Sequence, residues 1–534
     1  MGVPKKIVTL LLLAGIALCL LQIWLPGYYL TGDGPCHLYN AQIVHDLWCG
    51  KNTGLYTRFY ILAYNPDPNW LTTFALALLL FIAKGVVAEK IFLSVYLVLY
   101  ISGFYLLLRK ISSISSYWLL AIFIFVFPLT LAKGFYNFSF SIAFYFWMVW
   151  SWLRFLERRT IGNALLFFLF TSLIFFTHLL PFVFGAFTCG VLAVSYAISQ
   201  SRDNINERAI SLFMKRMSAL VLLLMPFLIL MVLFSQKQGG LQLHLRPHPY
   251  RLIELIQFKY IITLVNTEKL PAAIAGCTLL VLCIVTLVKS VKGFKVHQYD
   301  GFVLSLLFAG FIYLFFPEDF MGRAIIISIR AQLFVFILIV CCIAYRLPEG
   351  NIKYAGAFIL FLCFGWLSID RINCRAKATV AMDDYLFVRN LIRPGSVVLP
   401  LAFSREGTDE NGKMIADRNS IFHHAADYLG LEQPLILLDN YEANIGYFPV
   451  KWNENTNPYV HLSRYEGIEG VPPSASITGY EQTTGVSIDY IVMWCYQPSF
   501  LGNAHFKAFY NEINDKYHLV YSSPSKRTLL WQRN

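Results

Sequence analysis

The sequence predicts an α-helical polytopic membrane protein of about eleven transmembrane helices, followed by an α/β domain outside the membrane. Of the 534 residues, 57% are hydrophobic and only 14% are charged, whereas a soluble globular domain is nearer a quarter charged. The excess lies in apolar runs long enough for a hydrocarbon core roughly 30 Å thick, which needs about 20 helical residues. From about Asn373 the composition returns to that of a soluble protein.

Eleven apolar runs are predicted to be spans. They are 7–26, 90–108, 117–132, 138–153, 163–178, 181–199, 218–234, 271–288, 301–316, 328–345 and 353–369. A further run, 71–83, is short for a span and is predicted to be an interfacial helix within the first outer loop, 27–89. If 71–83 is left out, the basic loops between spans all fall on one side, and the positive-inside rule makes that side the cytoplasm.

This charge pattern also predicts the orientation of the chain. The N-terminus lies in the cytoplasm, and the first run is an uncleaved helix because no small-residue cleavage site follows it. Everything after about 370 then lies outside, in the periplasm if the membrane is a bacterial inner membrane, and otherwise in the extracellular space. The net charge of +12 comes from basic residues at the ends of apolar runs rather than from one patch, so no nucleic-acid partner is indicated.

Two domains follow from this organisation: a transmembrane module of residues 1–370 and an extracytoplasmic α/β domain of residues 371–534. The tail contains the strand-like runs SVVLPLAF, PLILLD and DYIVMWCY, and a helical pattern around SIFHHAADYLG. At about 160 residues it is long enough to enclose its own core.

The eleven cysteines show no metal-binding spacing. Cys36 and Cys49 share the first outer loop and are candidates for a disulfide if that loop faces an oxidising compartment. Spacing alone fixes no disulfide geometry, so two free thiols are the alternative.

The stretch TGDGPCHLYN, residues 31–40, directly follows the first predicted span. Asp33 is the candidate catalytic residue, because a carboxylate just past the end of a span can stay hydrated or face a cavity. The alternative is an interfacial cap followed by a turn, since Asp and Gly both favour turns. His37 and Asn40 follow at spacings that place them on one helical face with Asp33. His37 is favoured as a hydrogen-bonding partner over a metal ligand, since no second ligand is evident nearby.

Two further outer turns carry candidates for substrate binding. Tyr136 and Asn137 belong to the turn KGFYNFSFS and are expected to reach the outer surface. An interfacial aromatic belt would explain the tyrosine but not the asparagine. His178 stands at the end of its predicted span, where a histidine that only caps the helix is the alternative.

Three arginines complete the set: Arg246, Arg323 and Arg330. Arg330 is the most informative, because a charge near the end of a span is costly unless it is paired or faces a cavity. Its planar fork suits a phosphate at the membrane surface. The alternative is a side chain that snorkels to the interface. For Arg323, pairing with Glu318 or Asp319 is the alternative.

With these residues in place, the arrangement resembles the GT-C superfamily of membrane glycosyltransferases. That group includes protein O-mannosyltransferases, oligosaccharyltransferase catalytic subunits and lipid A aminoarabinose transferases. The resemblance covers the architecture of residues 1 to about 370, with a first span leading into a long outer loop that has an early acidic residue. It is strongest at GDGPCHLYN, which looks like the D-G-x-x-H-x-Y segment of bacterial relatives.

The resemblance implies a transferase that moves a sugar or oligosaccharide from a polyprenyl-phosphate-linked donor to a protein, polysaccharide or lipid acceptor at the outer face. Protein O-glycosylation and modification of cell-envelope glycans are the processes it suggests. Asp33 matches the family's catalytic acidic residue, which acts as general base or orients the acceptor. Arg330, supported by Arg323 or Arg246, would be the cation on the departing phosphate.

One departure from the family bears on cofactors. Many relatives carry a second acidic residue in the second outer turn, whereas this turn reads KGFYNFS. The need for a divalent metal is therefore left open. No Gly-rich phosphate loop and no D-x-D pair is present, which disfavours a soluble nucleotide-sugar donor.

Two other classes of protein compete with a transferase. A polytopic transporter or lipid flippase needs ionisable residues near mid-span or paired broken helices, and the centres of these spans are nearly free of charge. An envelope assembly scaffold would explain the tail, but it leaves Asp33, Arg323 and Arg330 without a role.

Overall fold

The computed structural model describes the chain with a few short gaps. The described residues are 5–112, 117–200, 207–237, 245–291, 296–320, 323–324, 326–465 and 467–534. The protein is mostly helical, and seven described helices are long and apolar enough to cross a membrane. These are Lys6–Trp24, Gly85–Ile111, Leu179–Gln200, Phe213–Lys237, Asn266–Ser290, Ile327–Arg346 and Asn351–Leu391. They are consistent with a membrane-embedded protein.

The helical part of the chain runs to residue 386. Its elements up to residue 200 are α1 (Lys5–Trp24), α2 (Gly34–Trp48), α3 (Thr53–Phe59), β1 (Tyr60–Leu62), α4 (Leu71–Leu79), α5 (Gly85–Ile111), α6 (Leu129–Ala132), α7 (Tyr136–Glu157), α8 (Ile161–Thr177) and α9 (Leu179–Gln200). Those that follow are α10 (Glu207–Lys237), α11 (Tyr250–Ile256), α12 (Lys269–Val291), α13 (Gly301–Phe315), β2 (Asp319–Phe320), β3 (Arg323–Ala324), α14 (Ile327–Arg346) and α15 (Asn351–Leu386).

Each of the eleven predicted spans overlaps helical structure, but only seven described helices meet the requirement of length and hydropathy. The run 117–132 is interrupted: a 3-10 helix, Tyr117–Phe125, ends before Pro128, and α6 begins at Leu129. Proline has no backbone N–H and its ring excludes a continuous helix at this point. The number of spans therefore stays a prediction.

The run 71–83 forms α4, a short helix of nine residues. It packs against α2, and Phe74 of α4 stacks on Trp48 with ring centroids 5.6 Å apart.

The C-terminal part contains a five-stranded sheet. Its elements are β4 (Val397–Ala402), β5 (Ile436–Leu437), β6 (Val450–Trp452), α16 (Pro458–His461), α17 (Ile477–Thr484), β7 (Tyr490–Trp494), α18 (Ala504–Lys516), β8 (Tyr517–Ser522) and β9 (Thr528–Arg533). The sheet order is β5-β4-β7-β9-β8, with β4 parallel to both neighbours and β9 antiparallel to both of its own. Every residue of β7 is buried, as its unbroken apolar run requires.

Helix α15 joins the two parts without a break. Its 36 residues extend over ~54 Å at about 1.5 Å per residue, well beyond a hydrocarbon core of roughly 30 Å. The domain boundary predicted near residue 370 lies inside it. Beyond that point Tyr385 stacks on Trp494 of β7 with ring centroids 4.7 Å apart, so the end of the helix belongs to the core of the tail.

The predicted first outer loop also joins the tail. Strand β1 pairs with β6 in an antiparallel ladder that sets Tyr60 opposite Trp452. On α2, the Tyr39 hydroxyl donates to the Leu435 carbonyl at 2.7 Å. Gly430 is required there, because a Cβ on it would lie 2.5 Å from the Tyr39 ring.

Candidate functional site

Helix α2 begins directly after Asp33. Gly34 and Pro35 form its first turn, where proline is favoured because its missing N–H has no helical partner. Asp33 occupies the N-cap position, yet its side chain accepts no capping hydrogen bond. A residue that served only as a cap would use its carboxylate in that bond. The carboxylate of Asp33 instead interacts with other side chains.

Two turns that are far apart in sequence dock at this point. The backbone N–H of Asp33 donates to the Lys133 carbonyl at 2.9 Å, and that of Gly32 donates to Ala132 at 3.2 Å. Gly134 has φ +86°, and a Cβ on it would lie 2.3 Å from the Asp33 nitrogen. Only glycine fits this left-handed position without strain. The turn 132–135 thus fixes the backbone at Asp33.

The Asp33 carboxylate is partly exposed and accepts a hydrogen bond from the Tyr441 hydroxyl. Desolvation by the surrounding protein raises the pKa of Asp33 to about 6. The positive charges of His37 and Lys133 lower this pKa, while the negative charge of Glu442 raises it. A carboxyl group with such a pKa changes protonation just below neutral pH, as a general base should.

His37 lies one turn further along α2, and its backbone N–H donates to the Asp33 carbonyl at 3.1 Å. Its Nδ1 is 2.7 Å from Oε1 of Glu442, and the two side chains are 4% and 0% exposed. Burial lowers the pKa of His37, but the charge and hydrogen bond of Glu442, together with the charge of Asp33, raise it overall. The ring stacks on Tyr136 at 5.4 Å between centroids.

Asn40 lies on the same face of α2. Its Nδ2 donates to Oε2 of Glu442 at 2.9 Å and to Oδ1 of Asn440 at 3.2 Å. Asn440 donates back to Oδ1 of Asn40 at 2.8 Å. His37 and Asn40 therefore hold the two oxygens of one tail carboxylate. We call Asp33, His37, Tyr441 and Glu442 the carboxylate site.

The two cysteines of the first loop are free thiols. Cys36 is buried, and its Sγ donates to Oδ1 of Asn440 at 3.2 Å. Cys49 is exposed and lies 3.6 Å from Nε2 of His45. The disulfide between them is not formed, because α2 places Cys36 against the tail.

Tyr136 and Asn137 are buried, contrary to the expectation that both reach the outer surface. The reason is the docked turn 132–135, which carries the start of α7 into the protein. The Tyr136 hydroxyl donates to Oε1 of Glu89 at 2.6 Å. Asn137 accepts a hydrogen bond from the Thr72 hydroxyl of α4.

Arg330 interacts with Asp33 of the carboxylate site, and His178 lies beside Arg330. The Arg330 guanidinium lies 4.8 Å from the ring centroid of Phe135 and 5.5 Å from that of Phe138, and it interacts electrostatically with Asp33. His178 stands edge-on to Phe138 at 5.4 Å, and its Nδ1 accepts from the Leu180 N–H at 3.2 Å.

The other two arginines are not brought to Asp33 by any contact described. Arg246 is exposed, and its backbone N–H donates to the Phe315 carbonyl at 3.1 Å. The side chain of Arg323 lies outside the part of the chain that the structure describes. Glu318 pairs with the buried Arg251 at 2.8 Å.

A cavity of about 660 Å³ is connected to the surroundings of Asp33 through one residue, Lys133. Lys133, whose carbonyl accepts from the Asp33 N–H, is one of its lining residues. The others are Leu129, Tyr250, Glu254, Lys259, Tyr260, Ile262, Glu318, Ile326, Ser328, Ile329 and Arg418. Lys259 pairs with Glu254 at 2.5 Å. We call this space the cationic cavity, after Lys133, Lys259 and Arg418.

Two residues of the carboxylate site, and Glu89 near it, are not predicted from the sequence. Tyr441 and Glu442 come from the tail, where nothing local marks them. Glu89 has a weak signal, as an acidic residue at the start of an apolar run, and it accepts from Tyr136 and from Tyr428, each at 2.6 Å. No group of three or more His, Cys, Asp or Glu among the described residues is arranged to hold a metal ion.

Comparison with known proteins adds no assignment. No family model matches the chain, and no curated protein matches it. Any function must therefore be argued from the carboxylate site and the cationic cavity themselves.

Proposed function

We propose that the protein is a membrane glycosyltransferase that moves a sugar or oligosaccharide from a polyprenyl-phosphate-linked donor to an acceptor at the outer face of the membrane. The observation that carries this proposal is the electrostatic contact of Asp33, whose pKa is about 6, with the cations Arg330 and Lys133, the second of which also lines a cavity of about 660 Å³. The GT-C-like arrangement of eleven spans, the cytoplasmic N-terminus and the periplasmic or extracellular tail belong to the same proposal.

The chemistry needs one base and one anion-binding group. Asp33, as a carboxylate, accepts the proton of the acceptor hydroxyl or amide while the acceptor atom attacks the anomeric carbon. The bond between that carbon and the phosphate oxygen breaks, and the bonding electrons leave with the phosphate. Arg330 and Lys133 stabilise the negative charge that develops there. The glycosyl phosphate is a good leaving group, so no second carboxylate is required.

The apolar helices support a donor that is bound to lipid. A polyprenyl chain needs a hydrocarbon environment, and the seven long apolar helices are consistent with one. The donor phosphate would then sit at the surface of that environment, where an arginine suits it. Arg330 is the fourth residue of α14, near one end of a helix that is long and apolar enough to span a membrane, which supports this role.

The decisive experiment compares wild type with Asp33→Asn in lipid nanodiscs. The donors are polyprenyl-phosphate-linked radiolabelled hexose, pentose and amino sugar, and the readout is label released from the lipid fraction. Loss of a general base lowers the rate by about 10²- to 10⁴-fold, and the isosteric amide leaves the melting temperature unchanged. Asp67→Asn is the matched control, because Asp67 lies in the same predicted loop but pairs with Lys237. Full activity of Asp33→Asn would overturn the proposal.

A further inference from the structure

The segment Asp439–Glu442 of the tail contacts side chains of α2 at the carboxylate site. Three consecutive side chains make the contact. Asn440 bonds to Asn40 and Cys36, Tyr441 donates to Asp33, and Glu442 binds His37 and Asn40.

We propose that Tyr441 and Glu442 are positioning residues of the transfer reaction, so that the C-terminal part of the chain completes the active site. This inference rests on the proposed function, since it assigns the tail a part in the same reaction. It replaces two simpler roles for the tail, selection of acceptors and passive covering of the site.

Glu442 is suited to hold His37 as a cation. Its side chain is 0% exposed, and a buried carboxylate is costly unless it is paired and hydrogen-bonded. Oε1 meets His37 at 2.7 Å and Oε2 meets Asn40 at 2.9 Å, so both oxygens are used. His37 also makes a hydrogen bond with the backbone of Gly134. A carboxylate oxygen at ion-pair distance from one ring nitrogen, together with a backbone partner, favours the protonated imidazole.

Tyr441 is suited to orient Asp33. Its hydroxyl donates to the carboxylate, and a hydrogen bond to the charged form favours that form. The ring itself is fixed, because it stacks on His424 with centroids 4.3 Å apart. With His37 beside it, Asp33 is thus kept as a carboxylate in one orientation, which a base that must meet an acceptor requires.

A role in packing alone would not alter protonation at Asp33 or His37, and this distinguishes the two explanations. Glu442→Gln keeps the shape and removes the charge, whereas Glu442→Asp keeps the charge. Tyr441→Phe removes only the hydroxyl. The control is Tyr517→Phe, since Tyr517 is also a buried tail tyrosine but donates to the Ile488 carbonyl within the tail.

The first measurement does not depend on transfer. Full-length protein labelled with ¹³C at histidine Cε1 is titrated in nanodiscs, and the His37 signal is assigned by its loss in His37→Gln. In Glu442→Gln the pKa of His37 falls by about one unit or more. In Glu442→Asp and Tyr517→Phe it stays close to the wild-type value. An unchanged titration in Glu442→Gln overturns the proposal.

The second measurement is the pH dependence of transfer. Tyr441→Phe removes a bond that favours ionised Asp33, so the acid limb of kcat/KM moves to higher pH by about half a unit or more. Tyr517→Phe does not move it. Equal profiles for the two variants contradict the role of Tyr441. If wild type transfers no label, the proposed function fails. If Glu442→Gln still lowers the pKa of His37 in that case, the tail carboxylate nevertheless sets the protonation of His37.

Discussion

The carboxylate site and the cationic cavity are linked through Lys133 but hold their charged groups in different ways. In the carboxylate site His37 and Glu442 are buried and Asp33 is partly exposed, and the groups contact one another: Glu442 uses both oxygens, and Asp33 is bonded through backbone and side chain. In the cationic cavity, Lys133 and Arg418 line open space and ion-pair with no acidic side chain among the described residues. Lys133 belongs to both regions.

The difference separates two tasks. Fixed dipoles and charges act on a proton without reorganisation during the reaction, and this is the property of the carboxylate site. Cations that line a large space can meet anionic ligands of different shape. Substitutions should therefore have large, specific effects in the first region and graded, charge-dependent effects in the second.

Gly134→Ala is the most severe way to break the carboxylate site. The left-handed conformation costs an alanine about 1–2 kcal/mol, and the new Cβ meets the backbone nitrogen of Asp33 at 2.3 Å. We expect transfer to fall at least ~100-fold, because small misplacement of a reacting group has effects of this size. We also expect a lower melting temperature in detergent.

Gly50→Ala is the matched control for that substitution. Gly50 has φ +66°, but nothing lies within 4 Å of a Cβ placed on it. It carries the same backbone strain without the collision, so it lowers the melting temperature less and leaves transfer close to wild type. Equal loss of transfer in the two variants would show that the docked turns are not what Asp33 needs.

Lys133→Gln and Arg418→Gln test the cationic cavity. A hydrogen bond to a charged group contributes about 1.5–3 kcal/mol, so each change raises the KM for the donor about tenfold or more. The effect of Lys133→Gln on kcat exceeds that of Arg418→Gln, because only Lys133 acts on Asp33. The exposed Lys84 supplies the control, Lys84→Gln. If the KM for the donor stays at the wild-type value in both variants, the cavity does not bind the donor.

The pH profile tests the carboxylate site without any substitution. Asp33 is a base only when ionised, and its pKa is about 6. The ionised fraction therefore falls from about nine-tenths at pH 7 to about one-tenth at pH 5, which lowers kcat/KM about tenfold. Circular dichroism at both pH values controls for unfolding. A flat profile over this range is incompatible with Asp33 as the base.

Cys36→Ser should have the smallest effect. Serine keeps a donor for Asn440 in place of the thiol, which donates at 3.2 Å, so we expect less than about 1 kcal/mol of destabilisation and transfer within about twofold of wild type. A reducing agent should also change nothing, because Cys36 and Cys49 are free thiols. Loss of activity on reduction would contradict the assignment of Cys36 and Cys49 as free thiols.

Local patterns predict what depends on neighbours in sequence. The apolar runs locate the helices, and the spacing of His37 and Asn40 places them on one face, where both contact Glu442. Asp33 is singled out by its place after an apolar run. Each of these features is predicted from residues that lie within a few helical turns of one another in the sequence.

Contacts between distant segments are beyond such patterns. The hydrogen bond between Asn40 and Asn440 joins residues that are 400 positions apart. No rule based on local spacing predicts that His37 contacts Glu442. Tyr136 is expected at the surface because the sequence does not reveal that its turn docks on Asp33. For the same reason Cys36 has Asn440 as its partner and not Cys49.

The insertion of the tail beside Asp33 has a consequence for biosynthesis. Asp33 leaves the ribosome early, whereas its partner Tyr441 is made about 400 residues later, which at about 5–20 residues per second corresponds to ~20–80 s. Throughout that interval the growing chain lacks the groups that contact the Asp33 carboxylate. If the proposed transfer reaction requires these groups, a chain truncated before Tyr441 would stay inactive, and activity would begin only after the tail has been translated and has folded against α2.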